Sequence, residues 1–406
     1  MPIKFYNTLT GEKEVFTPLK KGEVKLYACG PTVYDFAHIG NFRTYVFQDL
    51  MRRWLEYRGY DVTQVMNITD VDEKTIERAK RKKTGLFDIT RGYTKAFFED
   101  LSTLNIEKAE YRPLTSDHIE DMVRLTARLI EKGYAYKTED GSVYFDVGKF
   151  SDYGKLSGLE PKAGLRAKTK REDYTVPKHF ALWKAWDEMD YNIAWESEFG
   201  RGRPTWHVEC SALALRFLGD TMDIYSGGID LVFPHHENGI AVSEAATGKP
   251  FANYWMHSMH LKVDGKKMSK SLGNFYTLRD LLKKGYSPRA IRLLLLATHY
   301  REDLDFTFDK LEEAEKEIHR LDSLIEKLEK IDDENPDGHM KDRLKEMQRE
   351  FEKHMDDDLR IAAALKVFFE FIDETEEALT NNNISKEDAK EISKTIKDLD
   401  KVLAIM

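Results

Sequence analysis

Val24-Lys25-Leu26-Tyr27-Ala28-Cys29 reads as a strand ending in a cysteine, and the chain on either side of it decides the fold. Helical spacing follows at Tyr45, Leu50, Trp54 and Tyr57 across residues 41–58. Gly59 then stops that helix before a second strand, Val62-Thr63-Gln64-Val65-Met66-Asn67. Strand, helix, strand is the parallel crossover unit of a doubly wound sheet, since parallel neighbours need a long connection between them. Such sheets bind ligands beyond the carboxyl ends of their strands, and Cys29, His38 and Thr69 all fall there.

Working outward, the pattern predicts an α/β fold: a Rossmann-type doubly wound parallel sheet, split by an insertion and followed by an all-α helical bundle. The first half of the nucleotide-binding domain is expected over residues 1–113 and a connective insertion over 114–203. That insertion holds a helix near His118 to Lys132, a short hairpin around Gly141, and basic loops with Lys168, Lys170 and Arg171. The second half of the domain is expected over 204–262, with a strand at Asp223-Ile224-Tyr225-Ser226, then Gly227-Gly228 and a helix beginning around His235. Residues 263–310 carry a lysine-rich turn. From 311 to 406 the chain is helical, with apolar residues three to four apart at Leu311, Ala314, Ile318, Leu321, Ile325 and Leu328 and again at Met340, Leu344, Met347 and Phe351. A loop at 332–338 divides those two helices; a third is expected over Leu359 to Leu379, and a fourth is opened by Ser385 with Asp388 three residues on.

Composition narrows the function classes. A hydrophobic share of 41% over 406 residues suits a chain of several folded parts. No apolar run approaches a membrane span and no secretory signal core follows Met1, so a cytoplasmic protein without membrane contact is expected. Two cysteines, Cys29 and Cys210, are too few for a disulfide framework. The net charge of −9 hides an asymmetry: residues 311–406 hold 16 Lys and Arg against 28 Asp and Glu, while residues 1–310 hold 47 against 44. A polyanion should therefore meet the first three quarters of the chain.

Two distant stretches point to chemistry on phosphates. Pro31-Thr32-Val33-Tyr34-Asp35-Phe36-Ala37-His38-Ile39-Gly40-Asn41 sets a histidine and a glycine at a strand-to-helix turn, where unpaired N–H groups favour negative charge. Lys267-Met268-Ser269-Lys270-Ser271 supplies mobile cations for the rest of a polyphosphate. Cys29 and Cys210 as thiolates with one imidazole from His235 form a three-ligand zinc set with an open position, one ion per chain.

With these blocks, the sequence resembles the class I aminoacyl-tRNA synthetases, and among them the cysteinyl-tRNA synthetase family. The likeness also runs through Cys29-Gly30-Pro31-Thr32-Val33-Tyr34-Asp35, Asn67-Ile68-Thr69-Asp70-Val71-Asp72, Phe180-Ala181-Leu182-Trp183-Lys184, Trp206-His207-Val208-Glu209-Cys210-Ser211 and Phe233-Pro234-His235-His236-Glu237-Asn238. The resemblance implies activation of cysteine with ATP to cysteinyl-adenylate and transfer to the acceptor end of cysteine tRNA by a monomer. It implies that His38, Gly40 and Asn41 meet ATP phosphates, that Lys267 and Lys270 steady the transition state, and that Gly228 and Asp230 meet adenosine. Cys29, Thr44, Thr69, Trp206 and His235 would bind cysteine, region 263–310 would contact the tRNA stem, and magnesium would accompany ATP. A soft thiolate fills the open zinc position better than serine's hydroxyl, so the metal selects by ligand chemistry where pocket size discriminates weakly.

The sequence departs from that family twice. Its members usually carry a glutamate zinc ligand in a His-His-Glu-Asn-Glu run, and here the position is Gly239, so three protein ligands remain unless His236 or Glu237 rearranges. The mixed terminal module that makes anticodon contacts is expected to be missing, giving a short form whose last helices are acidic. Both features resemble a sister family, the cysteine ligase of mycothiol synthesis, which passes activated cysteine to an aminosugar amine. Against that stands the lack of its Glu-Arg-Gly-Gly-Asp-Pro signature between Lys168 and Val176. A third reading is a non-catalytic synthetase-like binding or regulatory protein, which would have no need of two phosphate signatures.

Overall fold

In the computed structural model, which describes residues 1–158, 179–190, 192–332 and 340–406, four parallel strands form the central sheet. Their order is Ala252–Ser258, Met222–Gly228, Glu23–Ala28, Asp61–Met66. Leu26 lies opposite Ile224 on one side and Gln64 on the other. The chain leaves Glu23–Ala28 first for the neighbour on one flank and returns much later on the other. That reversal is the switch point where open α/β sheets leave a crevice. Bridges from Val65 to Tyr111 and from Ile68 to Leu114 extend the sheet past its edge strand.

Alternation along the strands sorts the core into two layers. Leu26, Ala28 and Ile224 pack with Phe42, Val46, Leu50 and Trp54 of helix Ile39–Tyr57. Tyr27, Val65 and Tyr225 face Cys210, Leu213 and Ala214 of helix Trp206–Leu218 and Ile240 of helix Glu237–Thr247. With both faces covered, Met222 to Gly227 are all buried, as parallel strands require.

The boundaries differ from the sequence expectation in instructive places. Helix Ile39–Tyr57 starts two residues before Asn41, because His38 itself supplies the cap. The strand expected at 223–226 runs through both glycines to Gly228. The helix expected from His235 is preceded by a wide turn at Val232–His236 with Phe233 extended, and regular helix begins at Glu237.

The insertion builds a separate antiparallel sheet, ordered Ala135–Lys137, Val143–Asp146, His179–Ala185, Gly202–Pro204, on helix Ile119–Glu131. Its expected basic loops at Lys168, Lys170 and Arg171 lie outside the described residues, as does most of the loop at 332–338. The four expected bundle helices are Phe308–Leu328, Met340–Asp356, Ile361–Thr380 and Lys386–Leu403, the last with the Ser385/Asp388 capping box. Buried Arg292 ties this bundle to the sheet domain. It pairs with Asp49 of the first helix and donates to the carbonyls of Leu403 and Leu104 at 2.7 and 3.0 Å. Among the described residues no helix is long and apolar enough to cross a membrane.

Candidate active site

The two phosphate signatures, more than two hundred residues apart in sequence, meet at the start of helix Ile39–Tyr57. Ile39 N donates to Tyr276 O at 3.0 Å, and the His38 ring packs edge-on against Phe275. Lys270 Nζ donates to Asp35 Oδ2 at 2.8 Å and lies over the Phe275 ring. Burial works against a charged Asp35, but the bonds from Lys270 and from the Phe36 amide outweigh it and hold the carboxyl below its ordinary range.

His38 closes the N-terminus by a reciprocal pair. Its Nδ1 accepts from Asn41 N at 3.2 Å, and Asn41 Oδ1 accepts from His38 N at 3.1 Å. Burial, partly opposed by Asp230, lowers the imidazole to about 4, so the ring is neutral near pH 7. With Nδ1 accepting, the single proton sits on Nε2, which is then a donor for an incoming phosphate. Asn41 spends its oxygen on the cap and keeps its amide N–H groups. A Cβ on Gly40 would sit 3.0 Å from His38 Nδ1, tighter than ordinary contact, so any larger residue there would press on the ring.

Gly228 ends its strand beside Asp230, whose Oδ1 would lie 2.5 Å from a Cβ at that glycine. Asp230 stands in the short turn Ile229–Leu231 and caps no helix, which leaves its carboxylate for a ligand. Thr44 sits in the same corner, its Oγ1 2.8 Å from Ser258 Oγ and 3.6 Å from that Cβ. Its contacts therefore fall with the adenosine-side candidates. Lys267 is exposed at the end of a two-residue strand and meets Asn274 through its carbonyl.

Further along the same sheet edge lies a thiol–imidazole cluster. Cys29 Sγ is 3.7 Å from Cys210 Sγ, which is 3.3 Å from His235 Nε2. A tetrahedral zinc would hold two sulfurs roughly 3.8 Å apart, and a sulfur and a nitrogen roughly 3.6 Å apart, so these residues fit that ion. Both cysteines are free and buried. Burial first, then Cys29, pushes the Cys210 thiol well above its ordinary value; a divalent cation reverses that balance and holds thiolates. Trp206 stacks flat on His235, centroids 3.8 Å apart, which fixes the ring plane. The indole thus belongs to this cluster.

Sequence reading missed Glu209 and the groove beside Thr69, and gave His236 and Glu237 a place only on rearrangement. Glu209, next to Cys210, is buried; its Oε1 accepts from Thr69 Oγ1 at 2.6 Å and Asn67 Nδ2 at 2.9 Å, and the Thr115 hydroxyl also faces the carboxylate. Burial, only partly offset by hydrogen bonds from Thr115, Thr69 and Asn67, raises its carboxyl to about 7. In sequence it reads as an ordinary helical charge. His236 also joins the cluster: ring nitrogens of His235 and His236 and Cys29 Sγ all lie within 4.8 Å of one another. Glu237, by contrast, is fully engaged, accepting from the amides of Gly154, Leu156 and Ser157. A groove of about 820 Å³ adjoins Thr69 at Asp70 and runs past Arg91, Lys95, Phe98 and Asp117; none of the metal or phosphate candidates lines it.

Comparison with known proteins places this geometry. Cysteine--tRNA ligases from Protochlamydia amoebophila and Chlamydia pneumoniae are each 46% identical, aligned over all of this chain and 86% of their own length. The Caldicellulosiruptor saccharolyticus cysteine--tRNA ligase is 44% identical over all of this chain and 87% of its own. In fold, the chain matches Mycobacterium tuberculosis methionyl-tRNA synthetase in complex with methionyl-adenylate, with a TM-score of 0.68 at 14% identity over 94% of this chain and 90% of that one. It also matches the Agrobacterium radiobacter K84 LeuRS–tRNA–LeuAMS complex, with a TM-score of 0.69 at 12% identity over 96% and 84%. Residues 350–406 match the DALR domain. Residues 15–316, which carry both phosphate signatures and the thiol–imidazole cluster, match the catalytic domain of the class I (C) tRNA synthetases, and the chain belongs to that family.

Proposed function

We propose that this chain activates L-cysteine with ATP to cysteinyl-adenylate, releasing pyrophosphate, and passes the cysteinyl group to the acceptor end of cysteine tRNA, releasing AMP. The observation that carries this reading is the convergence of both phosphate signatures, through Lys270 and Asp35, on the sheet edge that also holds Cys29, Cys210 and His235. In the first step the cysteine carboxylate oxygen bonds to the α-phosphorus while the bond to pyrophosphate breaks. Charge grows on the α-phosphate and the leaving group. His38 Nε2–H and the side-chain amide of Asn41 lie at the phosphate end of the site, at the positive end of helix Ile39–Tyr57. Lys267 and Lys270 neutralise the pyrophosphate once Lys270 leaves Asp35, and magnesium accompanies ATP. Asp230 accepts ribose hydroxyls beside the open backbone of Gly228.

Cysteine lies between Thr69 and Trp206, and the buried carboxylate of Glu209 takes its ammonium. A zinc held by Cys29, Cys210 and His235 supplies, when bound, a soft Lewis acid that prefers a thiolate to a hydroxyl. The domain division at 113, 203, 262 and 310 is a reading of the sequence pattern, and its last three boundaries fall inside Gly202–Pro204, Leu261–Val263 and Phe308–Leu328. The acidic bundle offers little grip on an anticodon arm, which favours an enzyme reading mainly the acceptor end; we take it to be a cytoplasmic monomer.

Gly239, which removes the family's usual carboxylate ligand, favours as a second reading a ligase that transfers activated cysteine to a small amine. Purified protein with zinc, ATP and labelled pyrophosphate tests the activation: cysteine-dependent exchange is expected, and its absence refutes both enzyme readings. Incubation with cysteine tRNA then separates them, since exchange without cysteinyl-tRNA at micromolar enzyme leaves only the amine ligase.

A further inference from the structure

Gly239 leaves the metal centre one protein donor short, and the fold brings a second histidine to the place. His236 is fully buried, and one of its ring nitrogens lies within 4.8 Å of both Cys29 Sγ and a His235 ring nitrogen. Its Nδ1 is 2.8 Å from His257 Nε2, and His257 Nδ1 is 2.8 Å from Thr8 Oγ1. Among the described residues its Nε2 has no partner, although it is shut away from solvent. A buried polar atom left alone is costly, so the arrangement is incomplete without a ligand.

The hydrogen-bond chain runs in either direction, because the Thr8 hydroxyl can donate or accept. In the order that suits a metal ligand, His236 Nδ1–H donates to His257 Nε2, and His257 Nδ1–H donates to the Thr8 hydroxyl. That order leaves a bare lone pair on His236 Nε2, the state a metal ligand must have, and the outer ring fixes its tautomer and orientation as in other histidine metal sites. Gly227 makes room: a Cβ there would stand 2.8 Å from His236 Cε1. Charge favours an imidazole too, since two thiolates already cancel a divalent ion and a carboxylate would leave a buried net charge.

We propose that His236, through Nε2, is the fourth protein ligand of the metal centre, in place of the donor that Gly239 does not provide. The proposal rests on the reading of Cys29, Cys210 and His235 as a zinc set. X-ray absorption at the zinc edge of the wild-type full chain, loaded with one equivalent of zinc, tests it without any variant. Two sulfurs with the scattering of two imidazoles are expected; a single imidazole overturns the proposal and leaves the three-ligand reading standing. Protein that takes up no zinc overturns both. Chelator competition supplies the second measurement. His236→Gln should weaken zinc binding at least tenfold, and adding Gly239→Glu to that variant should recover most of the loss. A Cβ at residue 239 would meet Ser211 Oγ at 3.7 Å and Phe251 Cε1 at 3.8 Å, ordinary van der Waals contacts, so the substitution starts without a clash. Zinc affinity unchanged in His236→Gln overturns the proposal.

Discussion

His38 does two jobs with two nitrogens, and substitution can separate them. Nδ1 accepts from Asn41 N at 3.2 Å and holds the start of helix Ile39–Tyr57; Nε2–H is left for phosphate. Replacing a capping side chain by alanine costs about 1 kcal/mol, within a range of roughly 0.5–2. Removing one preorganised donor from a developing negative charge costs about 3–4 kcal/mol, a rate loss of roughly 10²–10³. Asparagine can restore the cap through its carbonyl oxygen but is too short to place a donor where Nε2 stands. His38→Ala should therefore lose both, about 1 kcal/mol in urea unfolding and at least a hundredfold in cysteine-dependent ATP–pyrophosphate exchange. His38→Asn should recover most of the stability and none of the rate. Because burial holds the ring near 4, it is neutral from pH 5 upward, and the exchange rate should show no break between pH 6 and 7 that disappears in His38→Asn. Such a break, or full exchange by His38→Asn, would refute the assignment of the two nitrogens. The same ring bears on stability: its folded value lies below the unfolded one of about 6.5, so the unfolded chain takes the proton first and stability should fall as pH drops from about 6.5 towards 4.

Asp35→Asn frees Lys270 from an ion pair in which the lysine is largely exposed, so the change should be small, at most about fivefold in the ATP KM, with kcat little altered. A hundredfold loss would mean that Asp35 itself touches the reacting groups. Glu209→Gln keeps the bond from Thr69 but removes the charge offered to the cysteine ammonium. The cysteine KM should rise at least tenfold while the ATP KM stays within twofold, and equal effects on both would remove Glu209 from the cysteine pocket. Cys210→Ser should lower zinc content and erase discrimination between cysteine and serine in the exchange assay; intact discrimination would exclude recognition through the metal. Asp49→Asn strips Arg292 of its counter-ion where both side chains are 1% exposed, and should cost about 3–5 kcal/mol in unfolding measurements without changing the KM for either substrate.

Much of this molecule is legible in its amino-acid order. Periodicity marks the two parallel strands at Cys29 and Asn67, the crossover helix between them and all four bundle helices, because each period reports directly which face of an element is buried. Glycine and histidine at the turn mark a phosphate site, and two cysteines with a histidine mark a soft-metal site, because those chemistries need those residue types. What the order of residues withheld is which partner each polar group finds. His38 looks like a phosphate contact, yet only the folded turn divides its nitrogens between cap and ligand. Asp230 could equally have capped a helix, and the short turn at Ile229–Leu231 frees it. Glu209 reads as a solvated helical charge until the sheet encloses it with Thr69 and Asn67. His236 follows His235 in sequence, and only the wide turn at Val232–His236, packed against His257 and Gly227, brings both rings to Cys29. Local pattern determines elements and the kinds of chemistry they can carry; hydrogen bonding and burial between residues hundreds of positions apart depend on the tertiary fold, and they decide which lone pairs are left for a ligand.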